Sequence, residues 1–322
     1  MMKTKHLLKL YILLLIVSCK TLQTEEKKTL NKFIKFNWIA NEINGKLYEK
    51  SAINIDFTLI NYKQKLNLQF DTGSQQSFVS AEMFDLILKK YPDLVAKVDT
   101  LKYDETNSDI VLKDLPIQSN QQTFLLNLYK GESENQSTVG EDNVISGTLG
   151  ADFCADKIVI INYPLQEIVF DSNIPNEWNN NMVDSKSMFG KLNIPIKIKN
   201  KTEFVLFDTG ASIFELATTP NGYTSLFGNL DFTEEIEVPS FGTMLNFKGK
   251  KSSERITVAG KEIKNPFIHY SENPNVIGFM EESELFGVTG NALFLNEIVL
   301  IDFSKNKFGT LENTMYHNAY KK

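Results

Sequence analysis

The sequence predicts an all-β chain built from two similar halves. Three observations carry that expectation. A strand-ending segment, Phe70-Asp71-Thr72-Gly73-Ser74, returns as Phe207-Asp208-Thr209-Gly210-Ala211. A very apolar segment also returns: Ile158-Val159-Ile160-Ile161-Asn162-Tyr163 aligns without a gap on Ile298-Val299-Leu300-Ile301-Asp302-Phe303. Alternation with a period of two, as in Ile53, Ile55, Phe57 and Leu59, recurs along the chain and marks strands with one buried face. The internal spacing is nearly conserved, with Gly150 lying 79 positions past Asp71 and Gly290 lying 82 past Asp208. One Asp-Thr-Gly triplet is an ordinary turn. Two in matching surroundings are an internal duplication, and that decides the architecture.

The chain opens Met1-Met2-Lys3-Thr4-Lys5-His6, followed by an apolar run over 7–17 broken by one lysine. A basic segment before a short apolar one is the pattern of an export signal. The run is too short to span a bilayer comfortably. It ends Ile16-Val17-Ser18-Cys19, which resembles a bacterial lipobox. That resemblance implies a signal peptide over 1–18, lipidation of Cys19 and a flexible tether over 19–35. Acyl chains contribute about 0.8 kcal/mol per buried methylene, so several on one residue anchor a protein without spanning the membrane. Lys20 after the cysteine is similar to outer-membrane sorting in Gram-negative bacteria, on the periplasmic face or the cell surface.

The remaining length suits two lobes, expected over 36–172 and 191–313, with a connection over 173–190 and a polar tail over 314–322. The formal net charge of −6 is scattered, without a Lys/Arg stripe, which argues against a nucleic-acid partner. With 3 His and 2 Cys in the whole chain there is little to build a metal site from, so no metal and no cofactor is expected. Cys154 follows Gly150-Ala151-Asp152-Phe153 and reads as a small buried apolar residue.

In order, residues 36–70 are strand-like. Leu66, Leu68 and Phe70 alternate into the Asp71 turn. Apolar residues at 83, 84, 87 and 88 have helical spacing, with Ser80 as N-cap and Pro92 as the stop. Residues 100–146 mix short strands with polar loops. In the second copy Ile194, Ile196 and Ile198 alternate, and Phe204-Val205-Leu206-Phe207 leads to Asp208. Thr218-Thr219-Pro220-Asn221-Gly222 reads as a turn, so no counterpart of the first helix is expected there. A last strand runs from Ile298 to Leu311.

Two strand-ending aspartates, one from each half, suit one chemistry. Carboxylates held close cannot both ionise, so their pKa values split. One then takes a proton from water while the other, protonated, donates to a carbonyl. Glycine permits a tight turn that presents amide donors to the carboxylate. A threonine hydroxyl can bond across to the other turn.

These segments, with Gly147-Thr148-Leu149-Gly150-Ala151-Asp152-Phe153 and Gly287-Val288-Thr289-Gly290-Asn291, resemble the aspartic proteases, pepsin-like and retropepsin-like. The resemblance implies a bilobal fold of two similar β-barrel lobes with few helices and a cleft between them. It implies Asp71 and Asp208 as the catalytic dyad on one water, and Thr72 and Thr209 as interlocking residues. Gly73, Ser74, Gly210 and Ala211 would support the dyad. Leu149-Gly150 and Thr289-Gly290 would pack behind the turns. It further implies an aspartic endopeptidase acting on extended peptides or proteins, monomeric because both lobes share one chain. Thr289 departs from the aliphatic residue the family places there. Tyr103 and Tyr129 are both candidates for a flap over the cleft. The alternative is a non-catalytic peptide-binding lipoprotein on the same fold. Because Ser74 has a hydroxyl where the second copy has Ala211, Asp71 is expected to be the more anion-friendly carboxylate.

Overall fold

The computed structural model describes residues 33–104, 107–132, 145–199, 201–240 and 243–311. The leader 1–18, Cys19 and the tail 314–322 lie outside them. The tether ends earlier than expected, because Ile34 already pairs with Ile168 in a sheet.

The described chain is mostly strand, in one sheet of 13 strands and one of 10. Each half lays down the same connectivity. Gln64–Phe70 pairs antiparallel with Lys46–Leu59 and parallel with Ile145–Leu149. Ile145–Leu149 pairs antiparallel with Phe78–Val79, which pairs parallel with Gln122–Lys130. In the second half Lys201–Phe207 pairs antiparallel with Lys191–Ile198 and parallel with Gly287–Thr289. Gly287–Thr289 pairs antiparallel with Leu216–Thr218, which pairs parallel with Phe267–Tyr270. The duplication in sequence is thus a duplication in pairing order.

The apolar repeat joins the halves. Ile158–Asn162 lies antiparallel to Ile298–Asp302, with Ile160 opposite Leu300. These two are equivalent positions of the two copies, so the pairing is self-complementary about a local two-fold axis. All five residues of each strand are buried. That explains their continuous apolar character, since a strand covered on both faces has no polar side to show. Glu167–Asp171 and Lys307–Leu311 flank the pair symmetrically. The expected single strand from Ile298 to Leu311 is therefore two, Ile298–Asp302 and Lys307–Leu311, turning at Asn306 with φ 52°.

The connection over 173–190 is partly ordered into the sheets. A 3-10 turn over Asn176–Asn181 buries Trp178, and Met182–Asp184 pairs with Lys307–Leu311. The first helix, Ala81–Lys90, is capped by Ser80, whose Oγ accepts the Met83 N–H. Met83, Phe84 and Ile87 are its buried face. The second half does carry a helix, Pro220–Phe227, where a turn was expected. Thr219 Oγ1 caps it by accepting the Gly222 N–H, and proline suits the first helical turn because its missing N–H would have no intrahelical partner there. A further helix, Pro274–Glu282, begins in the same way after Asn273.

Phe70 and Phe207 are fully buried at the ends of the two aspartate-bearing strands. Phe70 packs edge-on to Phe170, and Phe207 lies 4.9 Å from Phe308. These aromatic cores hold the strand ends and so fix where each aspartate begins.

Candidate active site

Asp71 and Asp208 leave their strands at the same point of the repeated topology, and the structure brings them together. The Asp71 N–H donates to Leu149 O at 3.0 Å, and the Asp208 N–H to Thr289 O at 2.9 Å. Leu149 and Thr289 therefore hold the turns by backbone, which any side chain could do. Thr289 also donates its hydroxyl to Glu215 O at 2.7 Å, which satisfies a buried polar group where an aliphatic residue was expected.

The turns interlock. Thr72 Oγ1 donates to Phe207 O at 2.8 Å and accepts the Thr209 N–H at 3.1 Å. Thr209 Oγ1 donates to Phe70 O at 2.7 Å and accepts the Thr72 N–H at 3.0 Å. Both threonines are fully buried. The two aspartate side chains lie close enough that the Asp208 charge acts on the Asp71 carboxyl.

The glycines are forced by proximity. A Cβ on Gly73 would sit 2.3 Å from Asp208 Oδ2, and one on Gly210 would sit 2.7 Å from Asp71 Oδ2. Each carboxylate thus lies over the other half's glycine. Behind them, a Cβ on Gly150 would meet Gln76 O at 2.4 Å, and one on Gly290 would meet Ala211 O at 2.1 Å.

Asp71 Oδ1 accepts the N–H groups of Gly73 and Ser74, at 2.9 and 3.0 Å. Asp208 Oδ1 accepts the Gly210 N–H at 2.7 Å. The Ser74 hydroxyl does not reach Asp71; it donates to Gln76 O at 2.8 Å. The hydroxyl expected to favour the Asp71 anion is thus turned away from it. Surrounding protein and the neighbouring Asp208 charge push the Asp71 carboxyl well above the usual carboxylate range, against the pull of its two backbone donors. Both aspartates nevertheless keep a partly exposed face, so water reaches them.

Several supporting residues were not legible from the motifs. Tyr163 donates its hydroxyl to Asn291 Oδ1, and Asn291 Nδ2 donates to Thr209 O at 2.9 Å, a second tie between the halves. Ser77 Oγ donates to Asp152 at 2.6 Å and accepts the Gly150 N–H at 2.9 Å. Gln76, five positions past Asp71, donates to Asp109 at 2.7 Å, and the Tyr103 hydroxyl donates to the same carboxylate at 2.8 Å. Tyr103 follows the strand Val98–Lys102, which forms a hairpin with Ser108–Ser119, and is 61% exposed. Tyr129 instead sits within a strand opposite Phe78.

Cys154 is fully buried, and burial raises its thiol far above the ordinary value. Among the described residues no group of three His, Cys, Asp or Glu is placed to hold a metal ion. Among the same residues no helix is long and apolar enough to cross a membrane. No protein-family model matches the chain, and no curated protein sequence matches it.

Proposed function

We propose that the chain is a lipid-anchored aspartic-type peptidase that hydrolyses peptide bonds with Asp71, Asp208 and one water. The observation that carries this reading is the reciprocal threonine lattice, which holds two aspartate turns face to face with each carboxyl over the other half's glycine. A structural turn has no need to bring two acids together at a desolvation cost. On this reading the halves are the two barrel lobes of an aspartic protease, and the substrate lies between them as an extended strand.

The mechanism follows from the electrostatics. Desolvation and the partner charge keep one proton on the pair. The ionised carboxyl accepts a proton from a water between the two, and the water oxygen attacks the peptide carbonyl carbon. The protonated carboxyl delivers its proton to the carbonyl oxygen, giving a gem-diol. Collapse of the gem-diol breaks the C–N bond as a proton passes to the leaving nitrogen. The rigid N–H donors of Gly73, Ser74 and Gly210 hold both carboxyls without reorganisation. The hairpin carrying Tyr103, tied through Asp109 to Gln76, is the better candidate for a cover over the substrate than Tyr129.

The test is cleavage of a complex peptide mixture from acid to neutral pH by the protein and by its Asp71→Asn and Asp208→Asn variants. Products made by the parent and by neither variant are expected. Products made equally by all three, or by none, would refute the reading. The anchor is tested separately, since Cys19→Ala should release the protein from the membrane fraction.

A further inference from the structure

We infer that this site takes peptide chains by a free end rather than in mid-chain, because a hairpin from the first half walls off one side of the aspartate pair. The inference rests on the hydrolytic reading above and narrows its substrate class.

The two halves differ in one pair of equivalent hairpins. In the first, Phe70 lies opposite Ile53, and the strand continues past that level through Lys46 to a turn at Asn44-Gly45. In the second, Leu206 lies opposite Asn193, so the level of Phe207 falls at Leu192, and the strand ends one residue on, at Lys191. The first hairpin therefore runs about six residues further, or about 20 Å of extended chain. Gln64–Phe70 runs toward Asp71, so the extra length projects past the level of the aspartate.

The extension is anchored on the other half. Ile43 is buried and Tyr48 partly so, in one cluster with Ala211, Ile213, Phe214 and Phe247. Ala211 is only three positions past Asp208. Lys46 Nζ pairs with Glu234 at 2.9 Å, and Asn44 Nδ2 donates to Glu235 O at 3.3 Å. Apolar seating, an ion pair and a hydrogen bond fix the tip to the second half. An element that joins the halves past the aspartates, against the residues that follow Asp208, crosses the path of a chain lying between them.

The other side is unlike this. The shorter hairpin turns at Phe189-Gly190, and Phe189 is 69% exposed. The first-half positions that answer to Ile213 and its hairpin neighbours are the polar Gln76 and Asp109, with Tyr103 exposed beside them. A substrate can run out of the site on this side. On the walled side it must end.

The experiment uses the full chain in detergent micelles with one long peptide sequence in two forms, linear and cyclised head to tail. The linear form should be cut a fixed, short count of residues from one terminus. The cyclic form should be cut at least about 100-fold more slowly, as expected when the scissile bond cannot be seated. A variant with residues 42–47 replaced by Asn-Gly, which closes the hairpin between Asn41 and Tyr48, should recover cleavage of the cyclic form. Cleavage of both forms at the same internal bond and at similar rates by the unaltered protein overturns the inference, whether or not the shortened variant folds. Absence of cleavage of either form, matching Asp71→Asn, overturns the hydrolytic reading and this inference with it.

Discussion

Thr72 and Thr209 each place a hydroxyl between a carbonyl and an N–H of the opposite half, so four hydrogen bonds cross at one buried point. Thr72→Val or Thr209→Val keeps the shape but strands a buried carbonyl and a buried N–H. Each should cost on the order of 2 kcal/mol in denaturant unfolding. The double variant should fall short of the sum, because either change already breaks the lattice. Strict additivity would show that the two hydroxyls act separately.

Asp71→Asn should abolish hydrolysis and yet raise stability at neutral pH. The folded carboxyl titrates well above its unfolded value. Its contribution is therefore favourable below the ordinary aspartate range and is lost as pH rises through the raised folded value. The melting temperature of Asp71→Asn should match the parent in acid and exceed it near neutrality. Parallel profiles at every pH would contradict this.

His269 should make the protein acid-sensitive. It is 4% exposed, neither ring nitrogen has a hydrogen-bond partner, and burial lowers its pKa to about 4. Glu234 stands 3.5 Å away, and its attraction is weaker than the desolvation it opposes. The unfolded chain takes the proton first, so stability falls as pH drops from about 6.5 toward 4. The loss should be on the order of 2 kcal/mol. His269→Gln should flatten that part of the urea-unfolding profile. A profile that keeps the parent's slope would remove the histidine from the account.

Two glycines should respond in opposite senses to alanine. Gly278 lies within the helix Pro274–Glu282, and its Cβ would meet nothing within 4 Å. Gly278→Ala should stabilise by about 0.5–1 kcal/mol. At Gly290 the Cβ would lie 2.1 Å from a backbone oxygen, so Gly290→Ala must move the turn that holds Asp208. It should cost several degrees of melting temperature, and activity along with them. Thermal melts of the two variants give the comparison.

Much of this could be read from the sequence because two signals were written twice. The Asp-Thr-Gly turns and the buried strands Ile158–Asn162 and Ile298–Asp302 repeat at nearly one spacing, and period-two alternation marked their neighbours. Ser80 and Pro92 bracketed the first helix for local reasons. The helix over Pro220–Phe227 was not recognised because Thr-Pro serves both turns and helix starts, and only tertiary packing of Tyr223 and Leu226 decides between them. Ser74 misled because a hydroxyl beside a carboxylate in sequence can turn toward another acceptor, here Gln76 O. Asn44-Gly45 is a strong hairpin signal. That its tip rests on Ile213 and Glu234 depends on residues far away in the chain, which no local pattern encodes.

The central pairing of Ile160 with Leu300 has a consequence for the fragments of this protein. A strand whose partner is its own structural counterpart carries the address of a copy of itself. A first half made alone would present Ile158–Asn162 as an open edge whose best match is the same strand on another molecule, Ile160 against Ile160. Truncation or nicking in the connection is thus expected to yield head-to-head pairs of like fragments, in competition with the native union. The covalent link between the halves favours the unlike pairing, as do contacts only that pairing makes, Tyr163 with Asn291 and Lys46 with Glu234.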